Sequence, residues 1–350
     1  MKKFRVLQVG TGGFGGAWCE HFLPPNIKDG LIEVVGAVDK NEKHFETAKR
    51  CLGLDNSRLF TDAKKAFDTI KADFCTIVVP PSFHESIVDL ALSHDMDILS
   101  EKPIADTLEG SVRIAEKVRK SGKKMGVTMS HRFDEDKTKL RELIRSGKYG
   151  KLDYVIGRFL DACRKFGSWG EFRHKIPDAL MVEGAVHHLD IIADLCGGKC
   201  DTIYAQTWNP SWGEYAGDSE GLVMMKMENG TRNFYEGSES SAKRLNGWTN
   251  EYFRAECDKA GIELNKRVIT IRSEGKEDEI IKMEEKGKWA NVLLIEKYVH
   301  WLAGGEPMET NVSDNLQSVA LVFAAIESSK TGKPVKVQEL LKSVKEKVKI

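Results

Sequence analysis

Along the first 128 positions, apolar residues come in short unbroken runs separated by longer stretches with helical spacing. Residues 4–9 (FRVLQV), 32–38 (IEVVGAV) and 74–79 (FCTIVV) are such runs, and 97–100 and 124–129 are shorter ones. Between them, residues 15–23, 42–51, 85–93 and 108–121 read as helices. Strands that are apolar on both faces and alternate with helices belong to a parallel sheet covered on both sides. Residues 1–128 are therefore expected to form one doubly wound α/β domain.

The rhythm changes in the second half. After a helix near 137–146, residues 152–162 alternate like a strand, and 187–195 read as a helix. Strand-like runs follow at 202–208, 221–227, 231–236, 252–257 and 267–272. Asn229-Gly230 between two of them is a hairpin signal, since this pair suits a type I′ turn. Successive strands joined by short turns predict a large, open, mostly antiparallel sheet over 129–350. Helices at 292–302 and 314–330 close the chain and are expected to be able to pack back on the first domain.

Composition narrows the class. The chain has 350 residues, 41% hydrophobic and 30% charged, which suits a two-domain globular protein. Lys plus Arg and Asp plus Glu both number 53, and this balance argues against a nucleic-acid binder. The basic stretch at 342–349 reads as a solvated helix face. No apolar run approaches the roughly 18 residues of a membrane span, and residues 1–9 lack a signal-peptide core. Seven scattered cysteines are an odd number and suit a reducing compartment, so the expected location is the cytoplasm.

Gly10-Thr11-Gly12-Gly13-Phe14-Gly15 follows the first strand and opens a helix. A G-x-G-x-x-G turn there lets the backbone approach a pyrophosphate at the helix N-terminus. Asp39 ends the next strand, where a carboxylate accepts from ribose hydroxyls and repels a 2′-phosphate. NAD is thus expected over NADP, although Lys40 and Lys43 lie close by. Pro80-Pro81 with His84 and Glu101-Lys102-Pro103 follow two further strands, at the edge where such sheets bind ligands. By itself Lys102 reads first as a surface lysine in a proline turn, and His84 could equally be a helix-start residue. Glu183, His187 and Asp190 are spaced to share one helix face, so a carboxylate could raise the basicity of an imidazole there. A buried structural histidine is the alternative. No metal site is expected, because no ligand set completes the one His187, His188, Asp190 and Asp194 would begin. Cys196 and Cys200 read as buried thiols.

Taken together, G-T-G-G-F-G at 10–15, P-P-S-F-H at 80–84, E-K-P at 101–103 and E-x-A-x-H-x-x-D at 183–190 resemble the glucose–fructose oxidoreductase/inositol dehydrogenase/rhizopine catabolism (Gfo/Idh/MocA) family. The Ser-His-Arg-Phe run at 130–133 and the closing segment at 319–335 extend the resemblance over the whole chain. It implies a Rossmann domain at 1–128 and a substrate-binding and oligomerisation domain at 129–350 with an open antiparallel sheet. It further implies nicotinamide-dependent oxidation or reduction of a sugar, polyol or sugar derivative by a homodimer or homotetramer formed through that sheet. By motif, Lys102 stands at the family's catalytic lysine and His187 at its histidine. Glu183 stands where many members carry Asp.

On this resemblance His187, oriented by Glu183, takes the proton of a secondary hydroxyl while Lys102 stabilises the developing alkoxide. The cofactor contacts would be residues 10–15, Asp39, Pro80, Pro81, His84, Glu101 and Lys102. Arg164, Trp169, Arg173 and Asp190 would contact substrate. Two rival readings remain open at this stage, an NAD-dependent glycoside-cleaving enzyme with transient oxidation and a dinucleotide-sensing regulator without turnover.

Overall fold

The computed structural model describes residues 2–283, 288 and 290–348. Two compact units emerge, Met1–Ser130 with Gly287–Leu316 and Val348–Ile350, and His131–Lys286 with Gln317–Lys347.

The first unit is built on six parallel strands, β1 (Phe4–Val9), β2 (Ile32–Val38), β3 (Leu59–Phe60), β4 (Phe74–Ile77), β5 (Asp97–Ser100) and β6 (Met125–Val127). Their order is β3-β2-β1-β4-β5-β6. β4 is buried throughout and β1 at every position but Arg5, as expected for strands covered on both faces. The order reverses between β1 and β4, and ligands of such sheets bind beyond the carboxyl ends of the strands at that reversal. Helix Leu108–Ser121 shows why the local sequence suffices here. Thr107 caps it by accepting from the Gly110 amide at 3.0 Å, its buried face carries Val112, Ala115 and Val118, and Gly122 ends it at φ 69°.

Helix Ala290–Leu302 also belongs to this unit, far from it in sequence. Asn26 donates to the Val292 carbonyl at 3.1 Å, and Tyr298 packs edge-on to Phe74 with centroids 5.2 Å apart.

The second unit carries a nine-stranded sheet. Its strands are β7 (Leu152–Leu160), β8 (Cys200–Trp208), β9 (Glu220–Met227), β10 (Arg232–Ser238), β11 (Tyr252–Cys257), β12 (Ala260–Asn265), β13 (Val268–Arg272), β14 (Glu279–Lys282) and β15 (Val335–Lys336), ordered β14-β13-β12-β11-β7-β10-β9-β8-β15. β9 alternates buried with mostly exposed positions and β11 buried with half-buried ones, so one face is the core and the other is more open. Helix Val186–Cys196 covers the core face. Its Ile192 reaches so close to β7 that a Cβ on Gly157 would lie 2.9 Å from it.

One expectation needs correction. The β9–β10 hairpin forms around Asn229-Gly230, but only Gly230 has positive φ, so the turn is not type I′. Its connection is four residues long, with the Asn229 side chain accepting from the Thr231 amide at 3.2 Å and Gly230 at φ 92°. The second sheet is mostly antiparallel as expected, with β7 and β10 its parallel pair, Tyr154 opposite Arg232 through Leu160 opposite Ser238. Among the described residues, no helix is long and apolar enough to cross a membrane. Helix Val337–Lys347 accounts for most of the basic stretch at 342–349, whose last residue lies outside the described ones.

Candidate active site

At the glycine turn of the first unit, steric demand explains the residue type. Gly10 sits at φ 92°, and a Cβ on it would lie 2.0 Å from the Val78 carbonyl oxygen. A Cβ on Gly15 would lie 2.4 Å from the Gly10 carbonyl oxygen, which is how helix and strand come together. Helical structure begins at Phe14 and runs on through Lys28, with Gly13 at its N-cap and no side chain capping it. Such an end presents backbone N–H groups to an anion.

Asp39 closes this turn from the neighbouring strand. One carboxylate oxygen accepts from the Thr11 and Gly12 amides at 2.9 and 3.0 Å; the other faces the Asn41 amide at 2.9 Å and the His44 ring at 3.0 Å. Burial pushes the carboxyl upward, but these hydrogen bonds and the His44 charge outweigh it and hold Asp39 below its usual range. The sequence reasoning passed over His44. A histidine five residues beyond the strand-end acid is the only signal it left. The turn fits a dinucleotide: close backbone, an uncapped helix start, and an ionised acid where ribose hydroxyls bind.

The two other loops at this sheet edge are tied together by His84. It is fully buried, with ring nitrogens 2.9 Å from the Val79 carbonyl and 3.1 Å from that of Pro103. This corrects the expected cofactor contact, since the ring fixes the Pro80-Pro81 turn to the Glu101-Lys102-Pro103 turn. Glu101 is likewise internal, accepting from the Trp18 indole at 2.9 Å and the Asn291 amide at 3.0 Å, and burial raises its pKa. Lys102, half-buried, follows directly at the carboxyl end of β5.

In the second unit, the parallel β7–β10 pair brings two strand ends to one sheet edge. Asp161, Cys163 and Glu239 follow those ends, all buried, with ligating atoms within 4.8 Å of one another. Arg244 donates to Asp161 at 2.8 Å, and burial pushes the Cys163 thiol up to about 12. β11 starts at the same edge, preceded by Trp248 and Glu251.

Trp248 is the hub of the rings gathered there. Its centroid lies 6.0 Å from His187, 5.2 Å from His131, 6.0 Å from Trp169 and 4.6 Å from Phe159. His131 and His187 approach to 4.5 Å. His188, behind them, faces the Tyr235 hydroxyl at 2.9 Å, and burial pushes it down to about 3, so it stays neutral. Glu251 is fully buried between Lys137 and His131, each at 2.8 Å.

The expected straight helix face through Glu183 and His187 is not what forms. Leu180–Ala185 is a π-helical turn, wider than an α-turn, and the α-helix starts only at Val186. Glu183 accepts from Arg173 Nε at 2.9 Å, while Arg173 also donates to the Trp169 carbonyl and lies 5.0 Å over its ring. Arg173, Trp169, Glu183 and His187 are thus brought into one region; Arg164 bonds the Ser241 carbonyl at 3.3 Å. Asp190 is a correction. It is 1% exposed and saturated by the Arg132 guanidinium and the Ser318 hydroxyl, which makes it a buried anchor and not a substrate contact. Sequence reasoning missed Trp248 and Glu251. It gives His131 no role, because ring contacts over such separations leave no local pattern.

Comparison with known proteins agrees with both halves. Residues 4–129 match the model of the oxidoreductase family with NAD-binding Rossmann fold, and 138–263 that of the GFO/IDH/MocA C-terminal domain. The chain is 51% identical to the uncharacterized protein y4oX of Sinorhizobium fredii over 97% of both chains. It is 28% identical to inositol 2-dehydrogenase of Corynebacterium glutamicum over 65% of each. Among solved structures, an oxidoreductase from Agrobacterium radiobacter in complex with NAD+, L-tartaric acid and magnesium superposes with a TM-score of 0.85 at 18% identity, covering 97% of this chain and all of that one.

Proposed function

The chain belongs to the GFO/IDH/MocA oxidoreductase family, and on that premise we propose that it oxidises a secondary hydroxyl of a sugar or polyol, with NAD preferred over NADP. The observation that carries this reading is the setting of His187. A nearly buried imidazole stands in ring contact with Trp248 and His131, while Trp169, with the Arg173 guanidinium of the Arg173–Glu183 pair over its ring, flanks the same indole. Indole faces suit the C–H face of a sugar ring, and guanidinium and carboxylate suit its hydroxyls.

In this mechanism His187 accepts the hydroxyl proton and Lys102 stabilises the alkoxide as it forms. Arg173 and Glu183 hold the neighbouring hydroxyls through their locked ion pair. Gly10, Gly12 and the uncapped helix start would seat the pyrophosphate, and Asp39 the ribose. NAD bound there supplies the hydride acceptor. The inositol 2-dehydrogenase name of the Corynebacterium relative supports a polyol substrate.

A panel of inositols, aldoses, sugar acids and glycosides, each with NAD and with NADP, tests this by the appearance of reduced cofactor. Reduced NAD with an inositol or aldose is the expected result. Glycoside loss without reduced cofactor, or no turnover on any class, would overturn it.

The proposal includes assembly. Trp208, Leu222 and Met224, exposed by 39%, 39% and 59%, lie on the open face of β8 and β9, and a second copy of the chain would cover them. Sedimentation should give a dimer or tetramer, and a monomer at micromolar concentration would refute it.

A further inference from the structure

Near His187 the mechanism leaves one ionisable group unused. His131 lies with its ring centroid 4.5 Å from that of His187, the planes inclined by 38°. Behind it, Glu251 is fully buried and its carboxylate faces His131 Nδ1 at 2.8 Å. We propose that His131 is a positioning residue for the proton step: its ring, seated on Glu251, carries a positive charge against His187 and keeps that ring neutral, ready to accept a proton. This deepens the dehydrogenase reading and rests on His187 being its base.

The charges around the pair support the direction. Burial alone favours a neutral His131, but the Glu251 carboxylate, with Asp134 at 3.9 Å, outweighs it and raises the His131 pKa above the ordinary imidazole range. Lys137 joins Glu251 at 2.8 Å and Asp134 at 3.1 Å, so Glu251 is held ionised from both sides. His188, with Nε2 4.0 Å from Glu251, is pushed down to about 3 and contributes no charge. The carboxylate of Glu183, four residues before His187 in the chain, pairs with Arg173. The Glu251 carboxylate thus favours the charged form of His131, in ring contact with the base. Without that charge, protonating His187 becomes easier, and a neutral base at pH 7 becomes scarcer.

The test is a histidine titration by NMR on the full-length enzyme, with 13C at Cε1 and the nine resonances assigned through His131→Gln and His187→Gln. The titration needs no substrate, so it reads this coupling whether or not the dehydrogenase reading holds. In the wild type, His131 should titrate above neutrality and His187 below it, each curve inflecting at the other's midpoint. In His131→Gln, the His187 midpoint should rise by about 0.5–1 pH unit, the effect of a unit charge at this distance under near-aqueous screening. Should His131→Gln fail to fold, the wild-type curves decide alone. A His131 that is neutral at pH 7, or a His187 midpoint that stays in place in folded His131→Gln, would overturn the proposal. With an active substrate in hand, the rising limb of kcat should move upward with the same variant while KM changes less than twofold.

Discussion

Replacing Asp39 by Ser tests the cofactor site most directly. In the structure the carboxylate does two things at once. It closes the glycine turn through the Thr11 and Gly12 amides, and it leaves an ionised acid where the ribose hydroxyls of NAD would dock. Hydrogen bonds to a charged acceptor are worth about 1.5–3 kcal/mol. Losing the ribose contacts alone should therefore weaken NAD by roughly 10–150-fold, since about 1.4 kcal/mol is a factor of ten. Loss of the Thr11 and Gly12 contacts adds turn disorder and pushes the result toward the upper end. NADP behaves differently, because the variant removes the carboxylate that repels a 2′-phosphate. Its affinity should fall far less, or rise, so the NAD:NADP ratio should shrink by more than tenfold. Calorimetric titration of both dinucleotides into wild type and variant measures this, with thermal melting as a control for folding. Since Asp39 is held below its ordinary range, wild-type NAD affinity should also stay level down to about pH 5. Tighter binding of NADP than NAD by the wild type, or NAD affinity within threefold in Asp39→Ser, would refute the reasoning.

Three further outcomes are expected. Lys102→Ala should lower kcat by about a hundredfold or more, as for other single electrostatic stabilisers, with the NAD dissociation constant within a few-fold; unchanged turnover would make Lys102 a surface turn residue. Arg173→Gln and Glu183→Gln should each impair turnover, and the double variant should be little worse than the poorer single one, because the two act as a pair; additive losses would separate them. Lys137→Met leaves buried Glu251 and Asp136 without their shared cation, which should cost about 3–5 kcal/mol near neutral pH and lower the melting temperature by roughly 6–20 °C. The sign with pH follows from Glu251. Its depressed folded pKa stabilises the wild type fully above the ordinary glutamate range and less as pH falls below that range, whereas in the variant that contribution is missing. The melting difference should therefore be nearly level from pH 8 to pH 5 and smaller at about pH 3.5, and calorimetry showing the reverse would contradict this.

The parallel sheet of the first unit was legible because its causes are local. A buried strand shows itself as an apolar run, the Leu108–Ser121 helix carries its own cap and stop, and the turn at 10–15 needs glycine for steric reasons set within one strand–turn–helix unit and its neighbouring strand. The alternation of β9 and β11 announced an open second sheet in the same way. Spacing also pointed to Glu183 and His187, but it assumed a straight α-helix, whereas Leu180–Ala185 is one wide turn and Glu183 accepts from Arg173. Asp190 looked like a site residue until Arg132, 58 positions away, took up its charge. The parallel pairing of β7 with β10 set Asp161 and Cys163 beside Glu239, and 120 residues separate His131 from the Glu251 that holds it. Periods of two or 3.6 residues record which way a side chain points within its own element. They say nothing about which distant element it will meet, because that is settled only when strands pair and buried charges must find partners in the folded chain.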